Sequence, residues 1–181
     1  DVVALFDLPN GPFFLIDGGW QSREATDTPD CANFYRHDGL RHDPERLPDG
    51  MDGFAAKVRE IGLRPATWWT PSVSLSSTLA KEHPEWLAKD ASGAPFRLRK
   101  SGYLDYSLPQ VQDYLHGVFD TIFNTWGFEG MKMDFWSQSV EQNRIRFATG
   151  TGIEWRDWLL GTIRSYLPED GFLMTCVATA M

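Results

Sequence analysis

The chain has 181 residues, 42% of them hydrophobic, enough for about one domain with its own core. Seventeen Lys and Arg against 25 Asp and Glu leave a net charge of −8, a surface that repels phosphate backbones and excludes nucleic acid as a partner. No apolar run approaches the roughly 20 residues of a membrane helix, and two cysteines, Cys31 and Cys176, are too few for a disulfide framework or a Cys-only zinc site. The start of the chain carries neither an initiator Met nor a leader-like apolar stretch, so a mature form or an excerpt is expected, with the cytoplasm favoured. Aromatic content is 14%, with 8 Trp, a composition suited to stacking on the apolar faces of sugars while carboxylates accept from hydroxyls.

In chain order, Phe13 to Asp17 is a short apolar run stopped by Gly18-Gly19 and reads as a buried strand. A polar stretch through Pro29, Asp38-Gly39 and Pro48-Asp49-Gly50 follows, too long for an ordinary connection and therefore expected to be functional or disordered. Met51, Phe54, Ala55, Val58 and Ile61 have helical spacing, closed by Gly62 as a C′ glycine. Leu63 to Trp69 reads as a second strand despite Pro65, and Leu79 to Leu87 as a short helix broken at Pro84. Tyr103 to Tyr106 is a weak third strand. Ser107 and Gln110 suggest a capping box for a helix with Val111, Leu115, Val118, Phe119, Ile122, Phe123 and Trp126 on one face, ended by Gly127. Gly130 to Asp134 is a fourth strand. Thr151 and Glu154 form a second capping box before Trp155, Trp158, Leu159, Thr162, Ile163 and Tyr166, and Phe172 to Cys176 is a fifth strand.

Strand and helix therefore alternate, which predicts a parallel sheet covered by helices. An open doubly wound sheet and a (β/α)8 barrel both satisfy that pattern. No GxGxxG turn follows the first strand, which disfavours the nucleotide-binding version, and a barrel needs about 250 residues, so a barrel here is incomplete. In either fold the active site gathers at the C-terminal ends of the strands, which carry Asp17, Trp68 with Trp69, Asp105, Asp134 and Cys176. Lys132 lies two residues before Asp134 and so shares its face of the strand, setting an ammonium beside the carboxylate and favouring the ionised form a nucleophile needs. The plainer readings are a turn or cap role for each Asp, a structural Lys132–Asp134 ion pair, one core and one lining ring for Trp68 and Trp69, and a buried apolar Cys176.

Several short segments in order carry a resemblance to a known family. LIDGGWQ (Leu15 to Gln21), TWWTPS, LDYSLPQV (Leu104 to Val111) and GMKMDFWS resemble the motifs of clan D glycoside hydrolases, in particular family 36, which contains α-galactosidases and raffinose synthases. The resemblance implies a (β/α)8 TIM barrel, present here as strands one to five. Residues 1–181 would be the N-terminal portion of the catalytic domain, with the C-terminal strands missing from the chain. It implies a retaining glycosidase for α-galactoside-like oligosaccharides that works without a cofactor or metal. Asp134 would be the nucleophile, Lys132 and Asp17 would hydrogen-bond sugar hydroxyls, Trp20 with Trp68 and Trp69 would wall the sugar site, and Cys176 would line the pocket near the 2-position.

Two departures touch the site. Gly18 stands where the family has a second acid, which removes one charge-assisted hydrogen bond and leaves the preference for galactose open. The family's KWDxN element reads KMDFW here, with Met133 and Trp136 in place of its aromatic and Asn. No acid between Asp134 and the end of the chain fits the general acid/base: Glu141, Glu154, Asp157, Glu169 and Asp170 read as caps or solvated surface, so that residue is expected beyond Met181. On this reading the chain alone is inactive and exposes apolar surface and an open strand edge. The competing readings are a raffinose-synthase-like transglycosylase, towards which Gln21 leans, a non-catalytic carbohydrate-binding domain, and a metal-dependent barrel hydrolase. The last is disfavoured because His37, His42, His83 and His116 show neither HxH nor HExxH spacing.

Overall fold

A computed structural model describes residues 11–21, 40, 42–98, 101–135 and 144–176. Cys31, His37, Trp136, Glu141, Met181 and most of the long polar stretch after Gln21 lie outside the described residues. The elements are β1 (Phe13–Ile16), α1 (Gly50–Glu60), β2 (Arg64–Trp69), β3 (Ser72–Ser74), α2 (Thr78–Glu82), a 3₁₀ turn (Pro84–Trp86), β4 (Ser101–Tyr103), α3 (Pro109–Asp120) widening into a π turn (Thr121–Thr125), β5 (Gly130–Met133), α4 (Gly152–Tyr166) and β6 (Phe172–Thr175).

β1, β2, β5 and β6 form one parallel sheet in that order, and β3 pairs with β4 as a separate antiparallel ribbon. With the ribbon set aside, the sheet follows chain order with no reversal. A doubly wound sheet must reverse at its switch point, whereas a barrel winds in one direction, so this is an arc of a (β/α)8 barrel. The arc curls strongly: the Phe13 and Phe172 rings on the two outer strands lie 5.3 Å apart, centroid to centroid. Level with Phe172 on the two inner strands stand small residues, Ala66 and Gly130. A Cβ on Gly130 would come within 3.0 Å of both Ala66 and Phe172.

The segment Tyr103 to Tyr106, read above as the third strand of the parallel sheet, is not part of it. β2 bonds directly to β5, so four parallel strands are present among the described residues, not five. Ser101–Tyr103 pairs with Ser72–Ser74, and the backbone that follows is satisfied locally. The Asp105 N–H donates to the Trp86 carbonyl at 2.7 Å, and the Tyr103 carbonyl accepts from the Ala88 N–H at 2.9 Å.

Pro65 is tolerated in a central strand for a specific reason. Its carbonyl accepts from the Glu129 N–H at 2.8 Å, so its ring nitrogen faces the same neighbour at a level below the first paired residue of β5, Gly130. The missing donor thus falls where there is no ladder to interrupt.

Helical periodicity supplies the outer layer. α1 buries Met51, Ala55 and Val58, α3 buries Val111, Leu115, Val118 and Phe119, and α4 buries Leu159, Thr162 and Ile163. Gly62 and Gly127 follow the first two at φ +79° and +74°, conformations that stop a helix cheaply only at glycine. The Thr151–Glu154 capping box forms on both sides. The Ser107–Gln110 box does not: α3 begins after Leu108 with Pro109 in its first turn, and the Ser107 hydroxyl is held by Asp105.

Candidate active site

Strand alternation and register bring the chemistry together. Trp68 pairs with Lys132 and Lys132 with Met174, and Asp17 stands one residue past the Ile16–Thr67 pair, level with them. One level higher, towards the C-terminal ends, are Asp134 and Cys176. Their N–H groups donate to the Trp69 and Met133 carbonyls at 2.8 Å each. Because the period is two, Lys132 and Asp134 share the concave face with Asp17, Trp68 and Cys176, while Met131, Met133 and Trp69 turn to the helices. The Trp69 ring packs edge-on against Phe119 of α3 at 5.2 Å and is fully buried.

Asp134 is 8% exposed, and both of its carboxylate oxygens hold donors. Oδ1 accepts from the N–H of Phe135 at 2.8 Å, and Oδ2 accepts from the Trp68 indole Nε1 at 3.1 Å. Lys132 Nζ is 4.0 Å from Oδ2, but its direct partner is another residue: it donates to Asp17 Oδ2 at 2.7 Å. The expected Lys132–Asp134 pair is therefore a longer-range contact, and the ammonium bridges two carboxylates of unlike exposure. The Asp17 hydrogen bond pushes Lys132 up from its ordinary value against the opposing effect of burial, and Asp134 and Cys176 add smaller contributions. Burial works to raise Asp17, but the Lys132 hydrogen bond and the Gly18 N–H (2.7 Å to Oδ1) outweigh it and hold that carboxyl below the usual carboxylate value.

The structure places the remaining residues of this end of the sheet as follows. Trp20 is 2% exposed, lies edge-on to Trp126 at 5.8 Å, and donates its Nε1 to the Trp68 carbonyl at 3.2 Å, which ties it to the backbone of β2. Gln21 accepts from the Gly19 N–H at 3.0 Å and fixes the turn after β1. Gly18 packs against the Trp68 indole; a Cβ there would lie 3.4 Å from the ring. Cys176 is a half-buried free thiol. Asp105 is a structural residue: its carboxylate accepts from the Ser107 N–H at 3.0 Å and the Ala148 N–H at 2.7 Å, tying the start of α3 to the approach to α4. Asp134 and Asp17 are thus the two carboxylates that end parallel strands here.

Two residues at the site were not singled out from the sequence. Phe135 has φ +51° and an exposed ring, and its carbonyl accepts from the Tyr103 hydroxyl at 2.9 Å. Left-handed backbone is signalled in a sequence by Gly or Asn, so a Phe gives no warning of it. The Tyr103 contact spans 32 residues and leaves no local pattern.

An arc of a (β/α)8 barrel with a buried carboxylate, an ammonium and an indole converging at its C-terminal edge has the layout of a barrel enzyme's active face. A family model, Melibiase, matches residues 11–160, and the chain belongs to that family. α-Galactosidase AgaA of Geobacillus stearothermophilus is 32% identical over 115 residues, which are 61% of this chain and 14% of that protein. Its crystal structure, described as a GH36 α-galactosidase, superposes with a TM-score of 0.64 at 22% identity, covering 91% of this chain and 23% of that one. TtGalA, an α-galactosidase from Thermus thermophilus in complex with stachyose, gives a TM-score of 0.67 at 24% identity over 93% of this chain and 34% of that one. At these identities the structural likeness establishes the fold. The chain thus spans less than a quarter of AgaA's length: about one seventh in the 115 aligned residues and 23% in the superposition.

Proposed function

We propose that this chain carries the nucleophile-bearing part of a retaining glycoside hydrolase that acts on α-galactoside-like oligosaccharides. The observation that carries the reading is the Asp134 carboxylate: buried at the C-terminal end of β5, with a donor on each oxygen and an ammonium 4.0 Å away. Such surroundings hold the carboxylate in one orientation, as a nucleophile requires. The names of the relatives, α-galactosidases, supply the substrate class.

In the first step an Asp134 oxygen attacks the anomeric carbon as the glycosidic C–O bond breaks, and the leaving oxygen takes a proton from a general acid. In the second, water loses a proton to the same residue while its oxygen attacks that carbon, and the bond to Asp134 breaks. Lys132 and Asp17 hold sugar hydroxyls, Trp68 forms the wall with Trp20 and Trp69 behind it, and Cys176 lines the far side. Asp17 does not suit the acid role: a general acid needs a raised pKa, and Lys132 holds this one low. The acid/base is therefore a residue other than Asp17.

The test compares the full-length protein with Asp134→Ala and Asp134→Asn on a panel of p-nitrophenyl α-glycosides, the α-galactoside first. Loss of several orders of magnitude in both variants, with azide restoring turnover to the alanine form, is expected. Near-normal activity of Asp134→Ala would make Asp134 a structural group and overturn the reading.

A further inference from the structure

We propose that Tyr103 is a positioning residue for Asp134, acting through the peptide of Phe135. The proposal rests on Asp134 being the nucleophile.

Phe135 is the one non-glycine residue at positive φ among those described. For a bulky side chain this conformation is unfavourable and persists only where the surroundings impose it. Packing of the ring does not impose it, since Phe135 is 47% exposed. The constraint lies in the backbone. The Phe135 N–H turns back to donate to Oδ1 of the preceding residue, Asp134, at 2.8 Å, and the Phe135 carbonyl accepts from Tyr103 Oη at 2.9 Å.

Tyr103 has a rigid mount. It is 1% exposed, ends β4 opposite Ser72, and its carbonyl accepts from Ala88. A fixed hydroxyl thus pins the carbonyl of a strained residue whose amide aims at the nucleophile. With Trp68 Nε1 on the other oxygen, the carboxylate plane is set by two donors, neither a flexible side chain. Attack on an anomeric carbon demands that plane, and small misplacements are costly.

Without the Tyr103 hydroxyl, the Phe135 backbone is free to relax to negative φ, its N–H leaves Oδ1, and the carboxylate turns on the Trp68 contact alone. Binding contacts are untouched, so the loss belongs in kcat and not in KM.

The experiment is a cycle in the full-length protein of Tyr103→Phe, Phe135→Asn and the double variant, measured with p-nitrophenyl α-galactoside. Tyr103→Phe is expected to lower kcat about tenfold to a hundredfold with KM within about twofold. Asn tolerates the left-handed region. In the Phe135→Asn background the same Tyr→Phe change should therefore alter kcat by less than about threefold. Phe135→Val keeps Tyr103 but makes that conformation harder to hold, and should lower kcat in the same direction. An equal loss from Tyr103→Phe in both backgrounds, or wild-type kcat in Tyr103→Phe or Phe135→Val, overturns the proposal. Asp134→Ala with azide separates the two failures. If Asp134→Ala is active, the nucleophile reading falls. If it is inactive and rescued while Tyr103→Phe keeps wild-type kcat, the positioning role alone falls.

Discussion

Lys132 and Asp17 form an ion pair in which one partner is mostly buried and the other more than half exposed. Their shifts have opposite signs and set a pH window. Asp17 is held below its ordinary 3.8, so its contribution to stability is complete above that value and is lost as pH falls through the lowered one. Lys132 is raised above 10.5, so its contribution is complete below that value and is lost as pH rises through the raised one. Thermal midpoints of wild type and Asp17→Asn should therefore differ by a constant amount through neutral pH and converge in acid below about pH 3.8. A difference that persists undiminished at pH 2 would show that Asp17 stabilises the turn after β1 by something other than its charge. The Trp68–Asp134 hydrogen bond is the other half of this arrangement. It fixes one oxygen of the carboxylate from the strand next to β5, where Trp68 is the register partner of Lys132.

The capping box at the start of α4 offers a direct measure of one element's share. Thr151 accepts from the Glu154 N–H and Glu154 accepts from the Thr151 N–H, satisfying two donors that the first turn otherwise leaves open. Thr151→Ala should cost about 1 kcal/mol in urea unfolding. This box, the stops at Gly62 and Gly127, and the strand ending in Asp134 could all be read from the sequence, because local spacing writes them directly. The Tyr103 to Tyr106 strand could not. Tyr103, Leu104 and Tyr106 are buried as a strand's side chains would be, but Tyr103 packs on Phe96, Tyr106 on Phe147 and Trp158, and the backbone bonds the 86–88 segment, not a parallel neighbour. Burial leaves the same apolar letters whichever partner covers them. The preference of Lys132 for Asp17 was hidden for a similar reason: spacing shows which residues share a face but not which of two acids an ammonium touches. Phe135 was hidden because its letter argues against the backbone it adopts.

Across the molecule, the curl of the sheet depends on the small residues of its concave face. Gly130→Ala would bring a methyl within 3.0 Å of the Ala66 side chain and of Phe172, and should destabilise by about 1–3 kcal/mol, read as a fall in the thermal midpoint. At the opposite end of the strands from Asp134, Arg64 donates to Glu129 at 2.8 Å and to Asp170 at 2.9 Å and lies over the Phe13 ring at 4.4 Å. This ties β1, β2 and the approaches to β5 and β6 together, as the N-terminal face of a barrel does when stability is kept apart from chemistry.

Residues 70–108 leave the sheet at the C-terminal end of β2, and the chain returns through α3 to β5, which bonds to the strand it left. The barrel ladder is therefore blind to how long that detour is. Lengthening, shortening or rewriting it changes what presses on Phe135 while every parallel pair keeps its register. Selection can in this way retune the carboxylate without renegotiating the scaffold, and relatives are expected to diverge in this detour sooner than in the strands it connects.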